Sequence, residues 1–321
     1  MKILFIADIH IKLGQKNVPV EWARNRYEVL MDQLWEIQKE CDIMIVGGDI
    51  FDKLPSMEEL EVYFDFVASC SIPTYIYSGN HEAVKRNTTF LTNLKGATNK
   101  INELVTVVDD YWHKLPGIDI IPYNKLKEWE KDPDNTFYSL HNRILCTHVR
   151  GEIPPHVKPE VPLELFDRWS LVLAGDLHSY DNCQRNILYP GSPVTTSFHR
   201  GLVDTGVIVV DSDTLEHVWK KLEVPQLIRK TVKAGEPMVA TDYHHTIYEV
   251  EGDMSELSGV EDSSLIDKKI VKRETDTALI LSPELTLSEE VCEYLRYVLN
   301  LNEDSIQKAL QELKTHEHRI N

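Results

Sequence analysis

The sequence lacks the features of membrane-spanning and of disulfide-stabilised proteins. No apolar run approaches the roughly 18 residues that a transmembrane helix requires. The five cysteines are scattered, odd in number and never in CxxC spacing, so neither a disulfide framework nor a thiolate zinc site is predicted. The apolar run that follows Met1 is too short for a signal peptide. We therefore expect a cytoplasmic protein.

Basic residues are also scarce. Lys and Arg number 34 against 52 Asp and Glu, which gives a formal net charge of −18. This balance argues against a nucleic-acid binder that relies on a broad basic surface. Carboxylates that hold divalent cations reverse the local potential, however, so a phosphodiester substrate is not excluded. The chain has no Walker-type Gly-x-x-x-x-Gly-Lys-Ser/Thr motif, so any dependence on ATP would come from a partner.

The chain is long enough for one large domain and a smaller one. Its 321 residues are 42% hydrophobic, as expected for a globular protein with a sizeable core. The residues before Val224 and Pro225 show strands without intervening helices, which indicates a domain boundary at these two residues. We predict a catalytic domain over residues 1–224, a small α+β domain over 225–285 and C-terminal helices over 286–321.

Helical periodicity alternates with short apolar runs in the first third of the chain. Residues 21–40, 56–70 and 90–104 are predicted helices, with Ser56 as an N-cap. Right-handed βαβ crossovers would stack the intervening strands in parallel, which indicates an α/β fold. Residues 125–135 are rich in charge and are predicted to form a surface excursion.

The last half of the chain changes character. The prolines after His148 predict an extended loop without helices. Strands over 187–189, 206–210 and 215–222 without intervening helices predict an antiparallel edge. Near the end, Ser288 and Asn302 are candidate N-caps of two amphipathic helices.

Five predicted strands end in residues that can bind metal ions. In chain order these residues are Asp8 and His10, Asp49 and Asp52, Asn80 and His81, His148, and Asp176 and His178. Each alone has an ordinary explanation, because Asn is a turn former and a lone buried His is usually a hydrogen-bonded core residue. Since the carboxyl ends of strands in an α/β sheet line one crevice, the five endings together predict a shared site. Mixed oxygen and nitrogen ligands suit manganese, iron or zinc better than magnesium alone.

The same residues resemble a known family, the calcineurin-like metallophosphoesterases, and within it the SbcD-type nuclease subunit of the double-strand-break repair complex. The motifs that carry the resemblance are Asp8-x-His10, Gly48-Asp49-Ile-Phe-Asp52, Gly79-Asn80-His81-Glu82, His148, Gly175-Asp176-Leu177-His178 and Tyr189-Pro-Gly-Ser-Pro193. They cover about two thirds of the chain. The resemblance implies a metallophosphoesterase β-sandwich flanked by helices, a small α+β capping domain that touches DNA, and C-terminal helices that bind an ATPase.

The resemblance also implies two metal sites. One set of ligands is Asp8, His10, Asp49 and His178, and the other is Asp49, Asn80, His148 and Asp176. Asp49 would bridge the two metals, His81 would be the proton donor, and Asp52 would steady the ligands. The family usually places His where Asp176 stands, and a carboxylate there favours Mn²⁺ or Mg²⁺ over zinc. Glu82 stands where the family more often has Asp.

The function that the resemblance implies is a manganese-dependent DNA nuclease. It would act as a 3′–5′ exonuclease on double strands and an endonuclease on single strands, in DNA end processing, recombination and repair. Its partner would be an SbcC-like ATPase, with a homodimer of this chain inside a heterotetramer. Two alternatives stay open: a metallophosphatase for small phosphoesters or phosphoproteins, and an inactive DNA-end scaffold.

Overall fold

The computed structural model describes residues 1–85, 88–133, 142–241, 243–271, 286–299 and 301–317. The chain divides into a larger unit, Met1–Val250 with Val260–Lys269, and a smaller unit, Glu251–Gly259 with Ile270–Asn321. All of the candidate metal ligands lie in the larger unit. The predicted domain limits at 224 and 285 stay predictions. None of the described helices combines the length and the apolar character needed to cross a membrane.

The larger unit begins with strands that alternate with helices. In chain order these elements are β1 (Lys2–Ile6), α1 (Val20–Gln38), β2 (Ile43–Gly47), α2 (Met57–Ser69), β3 (Thr74–Tyr77), β4 (Ala83–Lys85), β5 (Thr88–Thr89), α3 (Leu91–Ile101) and β6 (Val105–Val108). The three predicted helices are confirmed. Ser56 also caps α2 as predicted, since its hydroxyl accepts a hydrogen bond from the Glu59 N–H while the Glu59 carboxylate accepts one from the Ser56 N–H.

The rest of the chain has fewer helices relative to its strands. Its elements are β7 (Trp112–Leu115), β8 (Ile118–Ile121), α4 (Tyr123–Lys131), β9 (Ile144–His148), β10 (Leu171–Gly175), β11 (Ile187–Leu188), β12 (Gly206–Asp211), β13 (His217–Lys221), β14 (Leu227–Lys233), β15 (His245–Gly252), α5 (Met254–Ser258), β16 (Ile266–Val271), α6 (Leu287–Glu293) and α7 (Glu303–Glu317). Short 3₁₀ helices lie at Leu163–Arg168 and Tyr180–Asn182, and a π-helical turn lies at Tyr294–Val298.

Two sheets form the centre of the larger unit. The first has the strand order β13-β12-β1-β2-β3-β6, in which β1, β2, β3 and β6 are parallel and β12 and β13 form an antiparallel edge. The second has the order β11-β10-β9-β8-β7, parallel except for β7. The predicted parallel stacking is therefore confirmed, and so is the antiparallel edge formed by β12 and β13. The strand predicted at 187–189 does not belong to that edge, because Ile187 packs beside Val172 and β11 pairs with β10 in parallel. Strands β14, β15 and β16 make a third, smaller sheet.

Alternation along β1 shows how the sheets pack. Ile3 and Phe5 point into a core shared with β9 and β10, whereas Leu4 and Ile6 point into a core shared with α1 and α2. Because both faces are covered, the strands are continuous apolar runs, as expected for buried parallel strands. A third core, which includes Trp129 of α4, covers the outer face of the second sheet. The predicted β-sandwich flanked by helices is confirmed.

Two local predictions were wrong. Residues 125–131 belong to helix α4 rather than to a surface excursion, because Leu126 and Trp129 stand three positions apart on one helical face and are fully buried. Ser288 is not an N-cap, because α6 begins earlier and Thr286 accepts the capping hydrogen bond from the Glu289 N–H. The last two residues of the predicted surface excursion, 134 and 135, lie outside the described residues. The predicted cap at Asn302 is confirmed, since its side-chain oxygen accepts a hydrogen bond from the Ser305 N–H.

A buried carboxylate in the third sheet should make stability depend on pH. Glu249 is 1% exposed and pairs with Lys268 at 2.8 Å and Arg200 at 2.6 Å. These hydrogen bonds lower the pKa of Glu249 below its ordinary 4.5. Its stabilising contribution is therefore fully present above that pH and is lost as the pH falls through the lower, folded-state pKa.

We expect Glu249→Gln to lower the melting temperature at neutral pH and to matter less in acid. Thermal unfolding from about pH 7 to about pH 3 checks this, because the gap between wild type and variant should shrink as the carboxylate of the wild type is protonated. The exposed Glu103→Gln should leave the melting temperature unchanged throughout. A gap for Glu249→Gln that stays constant over the whole range contradicts the prediction.

Candidate metal centre

The ends of five strands converge on one place, from both sheets. Asp8 and His10 follow β1, Asp49 follows β2, and Asn80 and His81 follow β3 in the first sheet; His148 ends β9, and Asp176 and His178 follow β10 in the second. The sandwich brings them together because β2 and β9 lie against each other across the shared core. The convergence predicted from the sequence therefore occurs, although two sheets supply the strand ends rather than one.

The backbone at these strand ends is turned sharply. Asp8, His10 and Asp49 have φ values of 57°, 47° and 50°, in the left-handed region that non-glycine residues seldom adopt. Backbone hydrogen bonds hold the turns, from the Asp8 N–H to the Gly48 carbonyl at 3.0 Å and from the His10 N–H to the Asp49 carbonyl at 2.9 Å. Such locally strained conformations are typical of functional sites.

Glycine is required where two of these turns touch. A Cβ on Gly79 would lie 2.2 Å from Oδ1 of Asp49, and a Cβ on Gly48 would lie 2.7 Å from Cα of Gly79 and from Nδ1 of His148. Gly48 also has a φ of +86°. The absence of side chains at these two positions therefore lets the backbones after β2 and β3 pack against each other. This contact places Asp49 next to His148.

Asp49 lies at the centre of the cluster. Its Oδ2 lies 3.8 Å from Nε2 of His10, 3.8 Å from Nε2 of His81 and 3.5 Å from Nε2 of His148. Nε2 of His10 is in turn 3.0 Å from Nε2 of His178. Three overlapping groups have donor atoms within 4.8 Å of one another: Asp8, His10 and His178; His10, Asp49 and His81; and Asp8, Asp49 and His148. Separations of this size suit ligands that share a cation at about 2.0–2.2 Å.

The Asn80 amide tests whether a cation fits. The side-chain atom that faces the cluster lies 2.8 Å from Nε2 of His148 and 3.0 Å from Oδ2 of Asp49. If that atom is the amide nitrogen, it donates hydrogen bonds to both. If it is the oxygen, two acceptor oxygens face each other, an arrangement that a cation between them would stabilise. The donor set therefore fits a divalent cation that takes oxygen and imidazole ligands.

The electrostatics of the cluster also fit. Burial lowers the pKa of His10 to about 3, so its imidazole is neutral near pH 7 and free to bind a metal. Burial acts to raise the pKa of Asp49, but the charge and hydrogen bond of His148 outweigh it, and the pKa is lowered, so this carboxylate is ionised. Burial raises the pKa of Asp8 well above its usual range. A cation beside Asp8 would offset that cost of burying a charge.

His148 is oriented by a backbone carbonyl. Its Nδ1 donates a hydrogen bond to the Gly47 carbonyl at 2.8 Å, which leaves Nε2 facing Asn80 and Asp49. Burial would lower the pKa of His148, but the charge and hydrogen bond of Asp49 raise it to about 10. A metal ligand whose second ring nitrogen is fixed by a carbonyl is a common arrangement in metalloproteins.

Comparison with known proteins identifies the family. A profile described as calcineurin-like phosphoesterase matches residues 1–180, more than half of the 321 residues. The chain belongs to the calcineurin-like phosphoesterase family. This membership confirms the predicted enzyme class, a metal-dependent phosphodiesterase. With the clustered donors, it also supports divalent metals as the cofactor. The predicted identity of the metal, Mn²⁺, stays a prediction.

Three similar proteins illustrate the match. "Probable exonuclease subunit 1" of Escherichia phage T5 is 41% identical over 320 residues, which is 97% of this chain and 97% of that protein. Among solved structures, an archaeal phosphodiesterase is 12% identical with a TM-score of 0.38 and covers 69% of this chain and 100% of its own. TT1561 of Thermus thermophilus is 11% identical with a TM-score of 0.42, covering 69% of this chain and 99% of its own.

His81 lies at the mouth of this phosphoesterase centre. Its Nδ1 lies 2.6 Å from the Asp52 carbonyl, which can only accept, so Nδ1 carries a hydrogen and Nε2 faces Asp49. The His81 side chain is 36% exposed, so a substrate can reach it. Asp52 acts here through its backbone, because its carboxylate pairs with Lys12 at 2.9 Å. These positions suit the roles predicted for the two residues, which stay predictions.

Asp176 is close to the centre but is paired elsewhere. Its Oδ1 lies 3.9 Å from Nε2 of His148. Both of its oxygens accept hydrogen bonds from Arg150, at 3.0 Å from Nε and 3.2 Å from Nη2. It does not belong to the three groups of close donor atoms found among the described residues. Arg150 was not among the site residues predicted from the sequence, where its one signal is its position two residues after a candidate ligand.

Glu82 has a supporting role that the motif alone did not reveal. Its buried carboxylate accepts hydrogen bonds from the N–H groups of Gly79 at 2.7 Å, Asp49 at 3.0 Å and Phe51 at 3.0 Å. Burial and the neighbouring charge of Asp49 raise the pKa of Glu82 to about 7. One side chain thus joins the turn after β2 to the turn after β3.

We expect Glu82→Gln to destabilise the fold by about 2 kcal/mol, because an amide keeps only one acceptor oxygen for three N–H groups. Chemical denaturation measures the free energy of unfolding. Glu61→Gln is a matched control, since Glu61 is 64% exposed and pairs with Arg24 on the surface, and it should change stability by less than about 0.5 kcal/mol. Equal effects of the two substitutions contradict the role given to Glu82.

Proposed function

We propose that this chain is the nuclease subunit of a DNA end-processing complex and hydrolyses DNA phosphodiesters with two Mn²⁺ ions. The observation that carries the proposal is the position of Asp49, whose Oδ2 lies within 3.8 Å of three imidazole nitrogens from separate strand ends. A carboxylate placed in this way can bridge two cations. The 41% identity to a phage protein named as an exonuclease subunit supports DNA as the substrate.

The ligand sets follow the family resemblance and agree in part with the groups of close donor atoms, which leave out Asp176 and place His81 with His10 and Asp49. We assign Asp8, His10, Asp49 and His178 to one cation, and Asp49, Asn80, His148 and Asp176 to the other. When bound, such a pair of cations supplies positive charge at the phosphate and makes a nearby water molecule more acidic. The fully buried carboxylate of Asp8, whose pKa burial raises well above its usual range, suits this role.

The remaining site residues, His81 and Asp52, take part in proton transfer. Nε2 of His81 faces the centre and gives a proton to the sugar oxygen that leaves phosphorus. The Asp52 carbonyl accepts a hydrogen bond from Nδ1 of the His81 ring, and the backbone N–H of His81 donates one to Oδ1 of Asp49 at 2.9 Å. A hydrogen bond therefore joins the residue of the proton donor to the bridging carboxylate. It would keep the donor at a fixed position relative to a phosphate bound at the centre.

The test is turnover of linear duplex DNA and of single-stranded DNA by the purified protein with Mn²⁺. We expect both DNAs to be degraded, and chelation of the metal to stop the reaction. A nitrophenyl phosphomonoester serves as the comparison substrate. Turnover of the monoester without DNA cleavage supports a small-molecule phosphatase instead, and absence of both activities supports an inactive scaffold; either result overturns the proposal.

We further propose that the C-terminal helices bind an SbcC-like ATPase. In the smaller unit, Tyr294, Tyr297, Leu299 and Leu301 are between 40% and 50% exposed. Tyr294 and Tyr297 lie on the π-helical turn, and Leu299 and Leu301 lie between that turn and α7. Large apolar side chains exposed together often mark a surface that a partner covers. The name of the phage relative, a subunit, is consistent with assembly into a complex. The homodimer and heterotetramer belong to the same proposal.

We expect deletion of residues 287–321 to leave a folded protein with basal nuclease activity that no longer binds the ATPase. The full-length double variant Tyr294→Ser and Tyr297→Ser should weaken the same binding, because it removes apolar contacts without shortening the chain. Co-purification with the ATPase and thermal unfolding measure both outcomes. Undiminished ATPase binding by the truncated chain defeats this assignment, and a truncated chain that unfolds assigns the helices to the protein's own core.

A further inference from the structure

Arg150 binds Asp176, a member of the predicted ligand sets, although those sets give Arg150 no role. Arg150 stands two residues after His148, the last residue of β9, and Asp176 directly follows β10. The guanidinium binds both carboxylate oxygens in the two-pronged geometry that Arg and carboxylates favour, at 3.0 and 3.2 Å. The Asp176 side chain is 6% exposed, whereas that of Arg150 is 47% exposed. A buried anchor therefore holds a cation whose outer side faces solvent.

Arg150 keeps unused hydrogen-bond donors. A guanidinium has five N–H groups, and Asp176 takes two of them. Within the described part of the chain, the Arg150 side chain has no other hydrogen bond or ion pair within normal distance. Its backbone is also fixed, because the Arg150 carbonyl accepts a hydrogen bond from the Glu160 N–H at 3.2 Å. The free N–H groups are thus held in place beside the metal centre.

The surrounding charge shows what these donors suit. Asp8, Asp49 and Asp176 make the centre strongly acidic, which repels an approaching phosphate wherever bound cations do not compensate. Lys12, the other cation paired with a candidate site residue in the described chain, binds the Asp52 carboxylate on the His81 side. Arg150 supplies positive charge on the Asp176 side. A guanidinium binds phosphate oxygens in the same two-pronged way in which it binds carboxylate oxygens.

We propose that Arg150 is a substrate-binding residue that donates hydrogen bonds to a non-bridging phosphate oxygen of the DNA, while Asp176 holds the guanidinium in position. The inference rests on the proposed function, because it takes a DNA phosphate as the ligand. It gives Asp176 a task besides that of a metal ligand, and it accounts for an exposed arginine at a centre made otherwise of carboxylates and imidazoles. The competing explanation is that Arg150 only steadies Asp176 as a ligand.

Two binding measurements on the full-length protein separate these explanations. DNA affinity is measured by fluorescence anisotropy with Ca²⁺ in place of Mn²⁺, and Mn²⁺ binding is measured by calorimetry without DNA. We expect Arg150→Ala to weaken DNA binding and kcat/KM by about 10- to 100-fold, the usual effect of losing charge-assisted hydrogen bonds, and to leave Mn²⁺ stoichiometry unchanged. Arg150→Lys should recover only part of the loss, since an ammonium lacks the fork geometry.

The matched control is Arg185→Ala. Arg185 also binds a carboxylate through two nitrogens, but its partner Asp167 is 53% exposed and neither residue is a candidate site residue. Its loss should leave DNA binding, kcat/KM and Mn²⁺ binding unchanged. A loss of Mn²⁺ binding by Arg150→Ala, with no loss of DNA affinity at saturating cation, assigns Arg150 to the support of Asp176 and overturns the proposal.

DNA with one neutral methylphosphonate linkage, placed at each position in turn, locates the phosphate that Arg150 contacts. We expect one position at which the neutral linkage weakens binding of the wild type at least about 10-fold more than binding of Arg150→Ala. The same losses for both proteins at every position overturn the proposal. If the wild type cleaves DNA and Arg150→Ala matches it, only the role of Arg150 fails; if the wild type neither binds nor cleaves DNA, the proposed function fails with it.

Discussion

Asp49→Asn is expected to lose nearly all metal-dependent hydrolysis, with a rate at least about 100-fold below that of the wild type. The amide removes the negative charge that lies within 3.8 Å of Nε2 of His10, His81 and His148. The backbone should tolerate the change, because Asn is one of the residues that adopt the left-handed conformation found here, with a φ of 50°. The variant therefore tests charge and ligation more than folding.

Steady-state cleavage of linear DNA at saturating Mn²⁺ measures this effect. Asp167→Asn is the matched control, since it makes the same chemical change in a surface ion pair with Arg185, and it should retain full activity. Thermal unfolding confirms that both variants are folded. If Asp49→Asn kept one tenth or more of the wild-type rate, the assignment of Asp49 as the bridging ligand would be wrong.

His81→Ala is expected to slow the chemical step on DNA by about 100-fold or more while leaving metal binding intact. The expectation follows from the position of the ring, which is 36% exposed and fixed by the Asp52 carbonyl. The bond from the His81 N–H to Asp49 comes from the backbone, so the substitution preserves it. Single-turnover kinetics measures the chemical step, and calorimetry with Mn²⁺ measures metal binding.

A substrate with an activated leaving group sharpens this test. A nitrophenolate leaves without needing a proton, so His81→Ala should hydrolyse a bis(nitrophenyl) phosphodiester nearly as fast as the wild type and lose rate mainly on DNA. Asp49→Asn should lose both activities. The role of a proton donor is wrong if His81→Ala loses a bound metal, or if it slows the two substrates equally.

Much of the architecture could be predicted from local sequence. A buried parallel strand is a short, continuous apolar run, and the strands that became β1, β2, β3, β9 and β10 each show such a run followed directly by polar residues. Helix α2 carries its own start signal in Ser56 and Glu59. These features depend on neighbours within a few positions, so the sequence alone specifies them, and the strand ends then identify the candidate ligands.

Long-range contacts could not be predicted in the same way. The division into two facing sheets depends on pairings such as β1 with β12, about two hundred residues apart. Helix α4 was not predicted, because its sequence is rich in charged residues and its buried face consists of Leu126 and Trp129. The hydrogen bonds that three backbone N–H groups donate to Glu82 form only when the turns after β2 and β3 are packed together.

Asp176 shows the limit of reasoning by motif. Its position after β10 predicted a ligand, and the fold does bring its Oδ1 to 3.9 Å from Nε2 of His148. The motif could not show that Arg150 occupies both carboxylate oxygens, because the two residues are 26 positions apart, beyond the ends of two neighbouring strands. A charged side chain near a metal site is therefore best assigned after its partners are known.

The central claim is that the five strand ends form a two-cation centre, and anomalous diffraction from crystals of the protein grown with Mn²⁺ tests it most directly. We expect two manganese peaks about 3.5–4 Å apart, with Asp49 between them. Asp8, His10 and His178 should lie on one side, and Asn80, His148 and Asp176 on the other. A single peak, or two peaks that do not share Asp49, would contradict it.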